Sequence, residues 1–216
     1  MNSNSPIETL TEIRSIMERS TRFISLNGLA GVFAGVFALA GAGAAYYYLK
    51  LSLFESSEYR YLESGVRDLG MSFYSFFVID ALLVLVLSIG AAVFLSVRKA
   101  RKKGLKVWDN MAKRVLINML VPLATGGVFC AILLFHGFVG LVAPVMLLFY
   151  GLALFNTSKF TYNDIRILGI LEIMLGILSA IWIGYGLLFW AIGFGLLHIV
   201  YGIVLYLSTN DEQRYY

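Results

Sequence analysis

This chain has little that ionises, little that breaks a helix and almost nothing that cross-links. Among its 216 residues are one cysteine, three prolines and two histidines, and only 14% are charged. A lone cysteine, Cys130, excludes an intrachain disulfide framework. No paired CxxC, HExxH, phosphate-cradling glycine loop or GxSxG turn occurs, so the sequence predicts neither a metal centre nor a cofactor nor soluble-type catalysis. The Ser96 to Lys99 stretch matches an S-x-x-K spacing, but it lies among basic residues that have a simpler use.

What the chain has in excess is apolar surface. At 59% hydrophobic it exceeds an ordinary soluble domain. Apolar runs lie at Ile24 to Tyr48, Phe73 to Val97, Val115 to Phe135, Phe138 to Phe155, Ile165 to Gly184 and Leu187 to Leu207. Each is roughly 18 to 25 residues long, the length a helix needs to cross about 30 Å of hydrocarbon. The expected fold class is all-α, a polytopic membrane protein of six transmembrane helices forming a single domain over residues 23–207. The first 22 residues are polar and lack an apolar core before a small-residue site, so the first helix is expected to serve as the insertion signal.

Basic residues orient the bundle. Arg14, Arg19, Arg22, Arg98, Lys99, Arg101, Lys102, Lys103, Lys106, Lys113, Arg114, Lys159, Arg166 and Arg214 fall on one side, and only Lys50, Arg60 and Arg67 on the other. That 14-to-3 split predicts an inner-membrane protein with both termini cytoplasmic. The net charge of +4 is then a topological signal and not a nucleic-acid footprint. The inner loop, residues 98–114, carries "RKARKKGLK". Its Arg98, Lys99, Arg101, Lys102, Lys103 and Lys106 are candidate ligands for anionic lipid headgroups, at about 1 kcal/mol per basic residue near the surface; the simpler reading is an orientation anchor.

Residues 1–22 read as a cytoplasmic amphipathic helix. Ser5 is its N-cap, Pro6 takes the first turn and Glu8 completes a capping box. Ile7, Leu10, Ile13, Ile16 and Met17 recur at helical spacing. Its polar face mixes both signs of charge, which favours packing on the protein over pure lipid binding, and a cytosolic protein partner at residues 5–20 is a further reading. The outer loop, 49–70, is too short for a domain. Residues 208–216 form a cytoplasmic tail.

Paired as hairpins, the runs repeat. "FYGLALF" (Phe149 to Phe155) and "VYGIVLY" (Val200 to Tyr206) are 51 residues apart, while "GVFCAI" (Gly127 to Ile132) and "GILSAI" (Gly176 to Ile181) are 49 apart. The first run has "GVFALA" from Gly35, and the second the looser "IGAAVF" from Ile89. Three successive helical hairpins are predicted. Gly31 and Gly35 make small-xxx-small steps in the first run, and Gly169, Glu172, Gly176 and Ser179 fall on one stripe of the fifth, which should face protein.

Four titratable residues lie in or at the edge of these runs: Asp80, His136, Glu172 and His198. A charge at the bilayer centre costs about 2.5 to 3.5 kcal/mol on insertion scales, so such groups should face the bundle and find partners. If the last two runs turn at "GYG" (Gly184 to Gly186), Glu172 lies 13 residues before Tyr185 and His198 13 after it. Both then sit about 20 Å from the turn, at one level, with Tyr201 one helical turn deeper. By the repeat offsets, Glu172 corresponds to Leu123 and His198 to Leu147, so the architecture does not require either polar group. Glu172, His198 and Tyr201, with Asp80 reaching in from the second helix, are the candidate proton or ion site; burial and pairing act on such a couple in opposite senses, so it titrates as a unit. A hydrogen-bonded pair that merely fixes register is the plainer alternative. His136 reads as an interfacial residue, and Asn27 and Asn118 as satisfying helix backbone or a neighbouring helix. Gly193 and Gly195 are a candidate helix break.

The segment "GILEIMLGILSAIWIGYGLLFWAIGFGLLHIVYGIVLYL", with "LGIL" near Gly176 and its Gly193, Gly195 and Gly202 pattern, resembles one hairpin of the bacterial acid-resistance membrane protein family. The resemblance covers about residues 168–207 and implies a small, stress-related inner-membrane protein of three hairpins; the first two hairpins depart from it, and it assigns no functional residue. The sequence as a whole predicts a non-enzymatic scaffold, stress or regulatory component, or alternatively a small proton-linked transporter or channel, with membrane lipid and a second copy of the chain as further partners.

Overall fold

In a computed structural model of the chain, residues 28–49, 72–102, 104, 108, 110–161 and 163–212 are described. The N-terminal segment, most of the outer loop, Lys103 and Lys106 lie outside them, as does Asn27. Helices account for the described chain, with no strand: α1 (Gly28–Leu49), α2 (Phe73–Lys102), α3 (Asn110–Phe135), α4 (Val142–Thr157) and α5 (Asn163–Ile181). The sixth, α6, is a composite of an α-helical turn (Gly186–Trp190), a π-helical stretch (Ala191–Leu197) and an α-helix (His198–Glu212).

Five segments are long and apolar enough to cross a membrane: Gly28–Leu49, Phe73–Lys102, Asn110–Phe135, Val139–Phe160 and Ile183–Leu207. This is compatible with a membrane protein. The remaining helix, α5, is equally regular but carries Asp164, Arg166 and Glu172 within its 19 residues. Several helices outrun the apolar segments of the sequence. α2 continues through Arg98 to Lys102, where cations at a helix C-terminus are favoured by the backbone dipole, and α3 begins at Asn110.

Glycine dictates which helices meet. α4 and α5 run antiparallel in close contact. A Cβ at Gly151 would lie 2.7 Å from the Gly169 carbonyl, and one at Gly169 would lie 2.8 Å from the Gly151 carbonyl. Gly176 is equally tight on Leu148 and Pro144. The contact between α1 and α6 has the same composition: Gly28 against Gly202 and Tyr206, Gly35 against Gly195 and Ile199, and Gly202 against Gly28 and Val32. Each α1 residue stands 141 positions before an α5 residue, and each α6 residue 51 positions after an α4 residue, that make the matching contact. The internal repeat is therefore physical: one helix-helix interface is built twice from corresponding residues.

The outer helices are less enclosed. α2 packs along α1 through the stacked rings of Tyr48 and Phe76 (4.0 Å) and through Gly41 against Val84 and Asp80. α3 packs along α4 through Gly126 on Phe149 and through Asn156, whose side-chain amide donates to the Asn118 side-chain oxygen at 3.2 Å. α5 and α6 touch over a short stretch around Glu172, while their longest contacts are with α4 and α1 respectively.

Candidate functional site: a buried carboxyl, imidazole and phenol

The site forms where α4, α5 and α6 meet. Glu172 belongs to the small-residue stripe of α5, and the glycines on either side of it hold the α4 backbone close and seal its side chain from solvent, at 0% exposure. Across from it stands α6, whose backbone widens into the π-helical stretch Ala191–Leu197. π turns within helices are rare and concentrate at functional positions. The helix is not broken, as Gly193 and Gly195 suggested, but locally unwound, and Gly193 has a visible reason to be glycine: a Cβ there would sit 2.5 Å from Glu172 Oε2 and 2.5 Å from Leu147 Cδ2.

His198 follows the π stretch directly and is buried. Its Nδ1 lies 2.9 Å from the Gly193 carbonyl and 3.5 Å from Glu172 Oε1. A carbonyl only accepts, so Nδ1 carries the hydrogen and donates it to Gly193. In the neutral ring Nε2 is then an acceptor, and the Tyr150 hydroxyl on α4 donates to it at 2.7 Å. Phe194 packs between, its ring centroid 4.9 Å from Tyr150 and 5.1 Å from Trp190.

These assignments leave the carboxyl in an unusual state. Glu172 is within ion-pair reach of the imidazole, yet neither of its oxygens has a hydrogen-bond partner among the described residues, because the nearest hydrogen is aimed at a backbone carbonyl. Ser179 Oγ, two turns along the same stripe, is also buried without one. Buried polar groups are satisfied in the great majority of proteins, and an orphaned carboxyl in a low-dielectric core is costly.

Of the four residues the sequence nominated, two are brought together. Glu172 and His198 meet at one level, as equal spacing from the turn predicts. Tyr201 packs on the Leu154, Ile165 and Leu168 cluster beside Tyr150. Asp80 does not join them: it faces Gly41 on α1, while the hydrogen-bond and ion-pair partners of His198 are Tyr150, Gly193 and Glu172. The residue missed is Tyr150. Its signal was present, since it is the repeat counterpart of Tyr201, but the repeat aligns α4 with α6 and does not by itself show that they touch.

No family model, curated protein or solved structure matches this chain. Its residues therefore carry the functional argument alone. Among the described residues no three His, Cys, Asp or Glu side chains gather at a metal-binding distance. His136 is exposed at the end of α3, against the Phe135 ring. Asn118 donates to the Arg114 carbonyl (2.8 Å) while receiving Asn156, the asparagine of an N-T-S triplet. Arg98, Lys99, Arg101 and Lys102 end α2 as a basic last turn and its flank.

Proposed function

We propose that this chain is a six-span, non-enzymatic inner-membrane protein, both termini cytoplasmic, whose core packing responds to protonation of the Glu172–His198 couple. It acts as a stress or regulatory component and not as a conduit. One observation carries the reading: a fully buried carboxyl whose two oxygens lack hydrogen-bond partners, set beside an imidazole whose Nδ1 proton is held by backbone. A pair that served only to fix register would use the carboxyl as an acceptor. Here the imidazole hydrogen goes to backbone instead, and a change in the charge of the carboxyl would draw the Nδ1 hydrogen of His198 away from Gly193. The titratable groups around it are Tyr150 on α4 and His198 with Tyr201 on α6. Freeing the Gly193 carbonyl changes the hydrogen bonding of the π stretch, which couples the proton to helix geometry.

The 14-to-3 charge split supports the orientation, and the burial of Glu172 in a protein-facing stripe supports counting α5 as a span. The basic end of α2, with Arg98, Lys99, Arg101 and Lys102, suits anionic headgroups on the cytoplasmic leaflet.

Trp190 reports on the centre through Phe194. In a protein carrying Trp108→Phe and Trp182→Phe and reconstituted in vesicles, Trp190 fluorescence should titrate with pH, and Glu172→Gln should flatten the curve. Proton flux measured on the same vesicles should equal that of protein-free vesicles. A flat curve in the parent protein overturns the proton-responsive reading. A flux removed by both Glu172→Gln and His198→Ala makes the protein a proton-linked transporter.

A further inference from the structure

The interface that α5 makes with α4, and α1 with α6, has a third set of counterparts in this chain, and they are not covered. "IGAAVF" on α2 aligns its Gly90 with Gly151 and Gly202 of "YGLALF" and "YGIVLY"; Gly127 on α3 aligns with Gly176. In the two built interfaces these glycines receive a neighbouring backbone. At Gly90 and at Gly127 an added Cβ would meet nothing within 4 Å. The residues that should flank them are open too: Leu83, Leu87 and Phe94 on α2, and Leu120 and Ala124 on α3, are all exposed.

We propose that the Gly90 face of α2 and the Gly127 face of α3 are the two halves of a third copy of this interface, closed between two copies of the chain in the membrane. The occupant follows from the repeat. On the two occasions when this pattern is covered in the structure, its cover is the complementary helix of another hairpin, antiparallel and in glycine contact. A helix backbone can approach closely at a glycine and gain packing there that lipid chains do not. In this structure α2 and α3 of one chain do not pack along each other, α2 lying on α1 and α3 on α4, so the complementary face must come from another copy. If α2 of each copy docks on α3 of the other, the contact is made twice about a two-fold axis along the membrane normal, which keeps both copies in one orientation and their paired helices antiparallel. The built interfaces also set the register: Gly90 opposite Leu120 and Ala124, and Gly127 opposite Leu83 and Leu87. One departure is Leu120, which stands where α5 has Gly169 and α1 has Gly28, so the crossing is wider at that end.

The test uses the full-length chain with Cys130→Ser, in native membranes. Two differently tagged proteins, one carrying Leu87→Cys and the other Ala124→Cys, are coexpressed and oxidised. A mixed disulfide dimer should form, at least about tenfold more abundant than that from the control pair Leu85→Cys and Ile132→Cys. Adding Gly127→Leu should remove it while leaving the chain folded and inserted in the membrane, because the site has open space around it in one copy. Absence of the mixed dimer, or equal yields from both pairs, overturns the proposal. A cross-linked monomer from a chain carrying both Leu87→Cys and Ala124→Cys also overturns it, by placing the contact within one molecule.

Discussion

His198 Nδ1 sits 3.5 Å from Glu172 Oε1 but gives its hydrogen to the Gly193 carbonyl at 2.9 Å, so an acid and a base face each other in the core without a hydrogen bond between them. The arrangement depends on three helices at once. α5 presents the carboxyl between glycines that hold α4 close; α6 offers its imidazole just after a π stretch, and α4 anchors the other ring nitrogen through Tyr150.

Tyr150→Phe tests that anchor. The change deletes the 2.7 Å bond to Nε2 and leaves a buried acceptor unsatisfied, which costs about 1 to 3 kcal/mol. Thermal melting in detergent micelles should show the loss, and the Trp190 titration should shift because the imidazole is released on one side. An unchanged melt and titration would place Tyr150 outside the centre.

Gly193→Ala should disturb the site from the opposite side. The new methyl meets both Glu172 Oε2 and Leu147 Cδ2, so the side chains or the α6 backbone must shift. Overpacking of this kind typically costs about 1 to 3 kcal/mol. Gly43→Ala is the comparison, because a Cβ there meets nothing within 4 Å, and it should be neutral or stabilising by about 0.5 to 1 kcal/mol.

The duplicated interface makes a paired prediction. Gly151→Ala and Gly202→Ala occupy corresponding positions and confront corresponding atoms: the Gly169 carbonyl and Ile173 nitrogen in one case, the Gly28 carbonyl and Val32 nitrogen in the other. Backbone yields less readily than side chain, so both should lower the melting temperature, and by similar amounts. A large loss at one with none at the other would show the two contacts to be unlike in energy despite their likeness in form.

Much of this architecture was legible in the sequence. Apolar run lengths and small-residue stripes gave the helices and the protein-facing side of α5, because hydrocarbon thickness and backbone approach are constraints each helix meets by itself. The level shared by Glu172 and His198 followed from equal spacing about the Gly184 to Gly186 turn. Other features depend on how separate helices assemble. The repeat offsets related α4 to α6 and α5 to α1 but not which of these would touch, so Tyr150 was overlooked and Asp80 was directed toward His198 when it faces Gly41. The π stretch was visible only as two glycines; the residues it meets at Gly193, Glu172 and Leu147, are far away in sequence.

Asp80 provides a separate check. Its carboxylate lies at Gly41 on the α1–α2 contact, away from the core centre. Asp80→Asn should therefore leave the Trp190 titration unaltered while easing membrane insertion of α2, by up to about 3.5 kcal/mol on insertion scales where the acid is charged, read as a larger inserted fraction. A shifted titration would show the two acids to be coupled.

The most direct measurement is infrared difference spectroscopy of the protein in bilayers, following a protonated-carboxyl band between about pH 4 and 9. A band that disappears with rising pH, is missing in Glu172→Gln and shifts its midpoint in His198→Ala is the result expected of a proton-responsive couple. A carboxyl band from Glu172 that does not change with pH, or one that titrates identically with His198 removed, would contradict it.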